Sequence, residues 1–320
     1  MIIFGMITMK SMLIILKGFD SAYVKQLLVH SGNIPYGKDK ELQEYNKPRI
    51  LCILLTHPGN YDKKAIHTQN TWARRCTNWS FISTTKHSKL RLLEYNQTKP
   101  DAYRYLWAKM KDAYKAVYRQ VDQYDYVFKG DDDTYLLYEN LEALVSQFSS
   151  DQLIHTGLLL RDGKSPQFFS GGSGYILSRE ALKATVDRGI NSNDRTEKCN
   201  LADGPEDTRL ADCARAVGVA QYRCLESNQT ELFFNQDLDY MISRRHLRFT
   251  SGRKPNWRQK SYSQHLVSMH YMNGPMEYVV EFLIYYVGTY LRQELLDDPK
   301  VETEMPKFIC TRKYPQDGAN

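Results

Sequence analysis

Short apolar runs alternate with amphipathic stretches along the chain from residue 48 onward. The runs at residues 49–56 and 124–130 are almost wholly apolar, which predicts two buried strands. Between them, apolar residues recur at helical spacing over residues 101–120, which predicts a long helix. Strands that alternate with helices in this way predict an α/β fold with a mostly parallel sheet flanked by helices.

The same pattern predicts the remaining elements. We expect helices at residues 61–75, 138–148, 178–186 and 206–217, and strands at residues 81–83, 153–160 and 168–177. In open α/β sheets, ligands bind beyond the carboxyl ends of the strands. Two polar features follow such ends, Thr56 after the first strand and the aspartates at 131–133 after the strand at 124–130. These residues are therefore candidates for ligand binding.

The chain divides into a leader, a linker, a main domain and a tail. Residues 1–19 are apolar but contain Lys10, whereas a spanning helix needs about 20 apolar residues. We expect a degenerate or truncated signal anchor there, or alternatively a frayed amphipathic leader. Residues 20–47 are polar with glycine and proline breakers, which predicts a stem or linker. The main domain is expected at residues 48–292, followed by a C-terminal tail at residues 293–320.

Charge and composition narrow the range of partners. The 320 residues carry a net charge of +6, but the basic residues are dispersed and no nucleic-acid-binding motif accompanies them. We therefore predict no nucleic-acid partner, although a mild positive excess favours ligands that carry phosphate. The 23 tyrosines can line a sugar site, yet core and rim positions are their more frequent use.

Six cysteines and three glycosylation sequons bear on the compartment. No two cysteines form a C-x-x-C pair, so their scatter fits either free buried thiols or a few long-range disulfides. N-x-S/T sequons occur at Asn78, Asn96 and Asn228. Together, these features favour an oxidising lumen in which proteins are glycosylated.

The acidic triplet is the sharpest chemical feature of the chain. Mg²⁺ and Mn²⁺ prefer oxygen ligands and commonly join carboxylates to substrate phosphates. Because consecutive side chains of an extended strand point to opposite faces, Asp131 and Asp133 are expected to share a face while Asp132 points elsewhere. The alternative is an acidic turn that faces water, but the position at a strand end favours a ligand site.

Other residues can contribute to such a site. His270 can supply a nitrogen ligand to a metal, or it can be a structural histidine. Glu206 and Asp207 open a predicted helix, where they either cap its N-terminus or place a general base on a rigid element. Gly171 and Gly172 lie in a glycine-rich segment that permits close approach of a ligand to the backbone. This segment is not a dinucleotide-binding G-x-G-x-x-G motif.

Six sequence blocks, taken in order, resemble the inverting β1,3-glycosyltransferase family and, within it, the core 1 β1,3-galactosyltransferases. The blocks are RILCILLT (49–56), TWARRC (71–76), DYVFKGDDDTY (125–135), GGSGYILSREAL (171–182), EDTRLADC (206–213) and SMHY (268–271). The resemblance implies that residues 48–292 form a GT-A-type catalytic domain with Mn²⁺ as cofactor and UDP-galactose as donor. The implied reaction adds galactose, with inversion, to the 3-hydroxyl of GalNAc linked to Ser or Thr of glycoproteins, which is core 1 O-glycan synthesis.

The resemblance also implies a place in the cell and a role for individual residues. The protein would be a type II protein of the Golgi membrane with a lumenal catalytic domain, anchored through its N-terminus, and a homodimer is one assembly that the family allows. The metal ligands would be Asp131, Asp133 and His270. The donor contacts would be Thr56, Arg75, Asp131, Asp132, Gly171 and Gly172. The catalytic base would be Asp207, with Glu206 as the fallback. The acceptor contacts would be Trp257 and Tyr175, and the oxidised cysteines would be Cys52, Cys76, Cys199 and Cys213.

Two departures from the family leave the acceptor open. Residues 260–264 stand where the family has a paired-cysteine segment, and the aromatic acceptor stretch is reduced to residues 256–258. We therefore keep as alternatives a Fringe-like β1,3-N-acetylglucosaminyltransferase, a catalytically silent relative that acts as a folding chaperone, and a lectin-like sugar binder. The intact acidic triplet, His270 and Asp207 argue against the silent relative, because such a protein needs no metal site.

Overall fold

A seven-stranded sheet forms the centre of the computed structural model, which describes residues 47–100, 102–161, 166–192, 197–243, 263–287 and 307–313. Its strands, in spatial order, are β12 (Phe308–Arg312), β9 (Ala220–Glu226), β5 (Ile154–Gly157), β8 (Tyr175–Ser178), β3 (Tyr126–Asp131), β1 (Ile50–Leu55) and β2 (Asn78–Ile82). The leader, residues 20–46 of the predicted stem and Trp257 lie outside the described residues. No helix among the described residues is long and apolar enough to cross a membrane.

Five of these seven strands point in the same direction. Strand β1 pairs in parallel with β2 and β3, and β5 pairs in parallel with β9. Strand β8 runs antiparallel to both β3 and β5, and β12 runs antiparallel to β9 at the sheet edge. The predicted α/β fold of the GT-A type, with a mostly parallel sheet, is therefore confirmed, and the carboxyl ends of β1, β3, β5 and β9 meet at one edge.

Helices cover both faces of this sheet. They are α1 (Ile66–Asn70), α2 (Leu106–Tyr118), α3 (Tyr138–Val145), α4 (Arg179–Ala184), α5 (Glu197–Asn200), α6 (Glu206–Ala216), α7 (Leu238–Ser243) and α8 (Gly274–Glu281). Strand β1 is apolar throughout because it packs on both sides: Leu51 and Ile53 join the cluster of α2, and Cys52 and Leu54 join the cluster of Trp72.

Two smaller sheets lie beside the central one. The first has the order β10 (Phe233–Phe234), β11 (Ser268–Met269) and β4 (Tyr135–Leu136), and the second pairs β6 (Leu159–Leu160) with β7 (Phe168–Phe169). Strand β4 follows the acidic triplet, and β11 pairs with it immediately before His270. This pairing brings a distant part of the chain to the carboxyl end of β3.

Three disulfides connect the described cysteines, and all six cysteines take part: Cys52–Cys76, Cys199–Cys213 and Cys224–Cys310. The first two use the four cysteines that the resemblance indicates. The third joins β9 to β12, which lies within the predicted C-terminal tail. Part of that tail therefore belongs to the central sheet.

Candidate active site

The acidic triplet forms a tight turn at the end of β3. The Thr134 backbone amide donates to the Asp131 carbonyl (3.1 Å), and the Thr134 hydroxyl accepts from the Asp131 amide (2.8 Å). The same hydroxyl donates to the Gly172 carbonyl at 2.8 Å. The turn is therefore fixed to the glycine-rich segment, and all three carboxylates have defined directions.

Two of the three carboxylates converge with His270. One ligand atom each of Asp131, Asp133 and His270 lie within 4.8 Å of one another. His270 Nε2 lies 3.2 Å from Asp133 Oδ1, while its Nδ1 lies 2.9 Å from Asn235 Oδ1. When Nδ1–H donates to Asn235, the Nε2 lone pair faces the carboxylates, which is the arrangement of a histidine that binds a metal. Two carboxylates and one imidazole suit Mn²⁺, so the residues present fit the implied cofactor.

A lysine outside the six sequence blocks also reaches this cluster. Lys64 Nζ lies 2.8 Å from Asp133 Oδ2, and the lysine side chain is one-third exposed (33%). Burial raises the pKa of Asp133, but the hydrogen bonds and charges of His270 and Lys64 outweigh it and lower the pKa to about 2. Asp133 is therefore an anion at every physiological pH.

Asp132 points away from the cluster, as expected, although it lies in the turn after β3 and not in an extended strand. Its Oδ2 accepts from the Thr56 hydroxyl at 2.6 Å, and its Oδ1 accepts from the Asn60 amide at 3.3 Å. Burial raises the pKa of Asp132 to about 7, against the hydrogen bonds that lower it. The structure thus brings Thr56 and Asp132 together at the junction of β1 and β3.

Gly171 and Gly172 make room for the charged side chains around them. A Cβ atom on Gly172 would lie 2.0 Å from the His270 ring, and a Cβ atom on Gly171 would lie 2.3 Å from Glu206 Oε1. Any side chain at either position would displace one of these groups. Glycine is required at both positions because His270 and Glu206 approach the backbone closely. The two glycines, which are predicted to contact the donor, lie beside the candidate metal-binding group of Asp131, Asp133 and His270, which we call the metal cluster.

Glu206 and Asp207 begin helix α6, and their surroundings differ. Glu206 is 4% exposed; its Oε1 accepts from Lys129 Nζ and its Oε2 from the Tyr175 hydroxyl, both at 2.6 Å. Asp207 is half-buried; its Oδ2 accepts from the Gly171 amide at 3.1 Å and its Oδ1 from the Thr208 amide at 2.8 Å. Both carboxylates lie beside the metal cluster, and Asp207 is the more accessible.

Burial also shifts the pKa values of these two acids. It raises the pKa of Glu206 to about 7, although the Lys129 charge opposes the shift. Burial likewise raises the pKa of Asp207, and the hydrogen bond from the Gly171 amide opposes it. A carboxyl group with a raised pKa is a stronger base, which suits proton abstraction.

Tyr175, which the resemblance places at the acceptor, is buried in strand β8. It is 1% exposed, and its hydroxyl lies 2.6 Å from Glu206 Oε2 and 2.6 Å from the Tyr114 hydroxyl. Its hydroxyl holds the Glu206 carboxylate.

Arg75, which the resemblance places at the donor, is paired with residues of α8 and of the segment after it. Its guanidinium forms a paired salt bridge with the Glu281 carboxylate and stacks over the Tyr285 ring, 3.5 Å from the ring centroid. The Tyr135 hydroxyl lies 2.9 Å from Glu281 Oε2. These contacts attach α8 and the residues after it to Arg75 and to strand β4, and the donor contact of Arg75 stays a prediction.

Sequence reasoning missed Lys129, which is 1% exposed and lies between Asp131 and Glu206. A signal was present, because Lys129 is a charged residue inside a mostly apolar predicted strand, two positions before the acidic triplet. Lys64 and Asn235 carried no such signal. Their contacts with Asp133 and His270 follow from the fold.

Comparison with known proteins shows similarity to a characterised transferase. No family model matches the chain. The chain is 27% identical over 275 residues to glycoprotein-N-acetylgalactosamine 3-beta-galactosyltransferase 1 of Xenopus laevis, across 82% of this chain and 74% of that protein. This similarity confirms the resemblance that the six sequence blocks indicate.

Proposed function

From this relationship to a core 1 β1,3-galactosyltransferase, we propose that the protein transfers galactose from UDP-galactose to the 3-hydroxyl of GalNAc on Ser or Thr of glycoproteins. The reaction is a single displacement that inverts the anomeric carbon. The observation that supports it most is the convergence of Asp131, Asp133 and His270 beside Asp207 at the carboxyl edge of the sheet.

The cation site and its surroundings bind the donor. A bound Mn²⁺ ion supplies a Lewis acid that neutralises the leaving diphosphate. Asp131, Asp133 and His270 hold this ion, and Lys64 places a positive charge next to them. Thr56, Asp132 and the backbone of Gly171 and Gly172 border the space that the nucleotide occupies.

Asp207 is the catalytic base. It accepts the proton of the acceptor hydroxyl as that oxygen attacks the anomeric carbon. Glu206 is the fallback, because it is 4% exposed and held by Lys129 and Tyr175, whereas Asp207 is more accessible to an acceptor. The amide of Gly171 holds Asp207 Oδ2 in place and leaves its other lone pairs available to the acceptor.

The compartment belongs to the same proposal. Three disulfides among the described residues fit an oxidising lumen, so we place the catalytic domain on the lumenal side of the Golgi membrane. A Fringe-like N-acetylglucosaminyltransferase remains the second candidate, because a cation site of this kind does not by itself select the sugar.

Release of UDP from UDP-galactose tests this proposal. The acceptor is a peptide with GalNAc on Ser or Thr, and each reaction is run with and without Mn²⁺. Release that requires both peptide and Mn²⁺ supports the proposal, and release from UDP-GlcNAc alone favours the Fringe-like alternative. No UDP binding in the presence of Mn²⁺ would refute the proposal and favour the silent relative.

A further inference from the structure

We propose that Lys129 is a positioning residue that holds the metal ligand Asp131 in register with the segment that carries the base. This inference rests on the proposed function. It concerns a side chain that contacts neither donor nor acceptor, because its ammonium group lies inside the sheet with 1% of the residue exposed.

All three donors of the Lys129 ammonium group have acceptors. Asp131 Oδ1 and Glu206 Oε1 each lie 2.6 Å from Nζ, and the Gly171 carbonyl oxygen lies 3.3 Å from it. An ammonium group has three hydrogens, so these contacts satisfy it completely. Its orientation therefore cannot change without the loss of a buried hydrogen bond.

The three acceptors belong to three separate parts of the site. Asp131 ends strand β3, Glu206 begins helix α6, and Gly171 belongs to the segment before β8. The Gly171 amide in turn donates to Asp207 Oδ2 at 3.1 Å. The buried ammonium group of Lys129 thus joins Asp131, a ligand of the metal ion, to the loop that orients the catalytic base.

Glu206 is held from its other side as well. Its Oε2 accepts from the Tyr175 hydroxyl, which lies 2.6 Å from the Tyr114 hydroxyl. Without Lys129, the Asp131 carboxylate loses the hydrogen-bond donor that holds it toward α6, whatever the charge on Glu206. Because the tyrosines retain Glu206, Asp131 is the group that would turn away, and it would leave the position that suits the cation.

Two variants separate positioning from simple charge balance. Lys129→Met removes the ammonium group, and Lys129→Met with Glu206→Gln removes both charges of the pair, which protects folding. We expect the Mn²⁺ concentration for half-maximal UDP binding, measured by calorimetry, to rise about 10- to 100-fold in both, as is typical for outer partners of metal ligands. A role in charge balance alone predicts that the double variant regains wild-type binding.

Glu226→Gln is the matched control. It breaks another buried pair, in which Glu226 Oε1 lies 2.6 Å from His265 Nδ1, outside the metal cluster. We expect this variant to lower the unfolding temperature without a change in the Mn²⁺ requirement.

The outcomes distinguish this inference from the proposed function. Wild-type Mn²⁺ dependence in the double variant would overturn the positioning role of Lys129 and leave the proposed function intact. If the wild-type protein itself shows no Mn²⁺-dependent UDP binding, both are wrong.

Discussion

The two adjacent carboxylates at the start of helix α6 have different chemistry because their neighbours differ. Glu206 is enclosed by Lys129 and Tyr175, whereas Asp207 receives backbone amides and keeps an accessible side. Hydrogen bonds of this kind hold the Glu206 carboxyl group in one orientation. The adjacent residue is left for proton transfer.

Asp207→Asn tests this division. The variant loses the base but retains a side chain of the same shape, so we expect turnover to fall by about 10²–10⁴-fold while Mn²⁺-dependent UDP binding persists. Initial rates and calorimetry measure the two quantities. Asp212→Asn, on the same helix and paired with Arg215, is the control and should retain turnover. Normal turnover of Asp207→Asn would rule out the assignment.

Gly172→Ala tests the close approach of the glycine-rich segment to His270. The added Cβ would lie 2.0 Å from the imidazole ring, so we expect the ring to move and Mn²⁺-dependent UDP binding to weaken about tenfold or more. Gly218→Ala is the control: its φ of +86° strains the backbone, but no atom lies within 4 Å of the added Cβ. Unchanged UDP binding by Gly172→Ala would contradict this account.

The residues of the site differ in how far the sequence reveals them. The structure places Asp131, Asp133 and His270 together, as the resemblance implies. The sequence reveals these residues because the two aspartates follow a strand and His270 belongs to one of the six blocks. The partners of Arg75 and Tyr175 gave no signal, since Glu281 and Glu206 are distant in sequence. Local patterns show which residues are polar, whereas only the fold shows which of them are already paired.

At the scale of elements, helix α8 carries a carboxyl group that has no cationic partner among the described contacts. Glu277 is fully buried, and its oxygens accept from the hydroxyls of Thr68 (2.9 Å) and Thr71 (2.7 Å). Burial raises its pKa to about 8, although these hydrogen bonds lower it. Between pH 4.5 and about 8, the Glu277 carboxyl group is therefore protonated in the folded protein and ionised in the unfolded chain.

A consequence for stability follows from this difference. The folded state binds the extra proton between the two pKa values, so the contribution of Glu277 to stability falls as the pH rises from 4.5 to about 8 and then levels off. Glu277→Gln removes this contribution, and we expect the free energy of unfolding in urea to depend less on pH in that window. The exposed variant Glu94→Gln should leave the wild-type dependence unchanged. An identical pH profile for Glu277→Gln would refute the prediction.

Element boundaries show a second limit of sequence patterns. The strands predicted at 153–160 and 168–177 each divide into two, because β5 and β6 pair in different sheets and because the chain turns before β8, where Gly174 has a φ of +82°. The predicted tail contains β12, which is held at the sheet edge by pairing with β9. Residues of an edge strand are half exposed and lack the continuous apolar run that identifies β1 and β3.

At the scale of the whole molecule, the three disulfides close loops of different length. Cys224 and Cys310 are 86 residues apart, while Cys199 and Cys213 are 14 apart. In the chain-entropy model, the longer loop stabilises by about 4–5 kcal/mol and the shorter by about 3 kcal/mol. Replacing both cysteines of a pair by serine avoids a free thiol and isolates each effect.

We expect the Cys224/Cys310 pair to be the costlier loss. The measurement is the free energy of unfolding of the two double-serine variants under non-reducing conditions. UDP binding should persist wherever the variant remains folded, since neither pair contacts the metal cluster. A larger loss for the Cys199/Cys213 variant would show that local packing, and not loop closure, determines the effect.

The pairing of β11 with β4 has a consequence for synthesis of the protein on the ribosome. Asp131 and Asp133 emerge early, but their nitrogen partner follows only after β5, β8 and β9 have been made. Contacts between such distant segments form late in folding. A nascent chain can therefore complete most of its central sheet before it can retain a divalent ion. Nucleotide binding that needs this ion would then occur only in chains synthesised beyond His270, and shorter truncated products would not compete for the sugar donor.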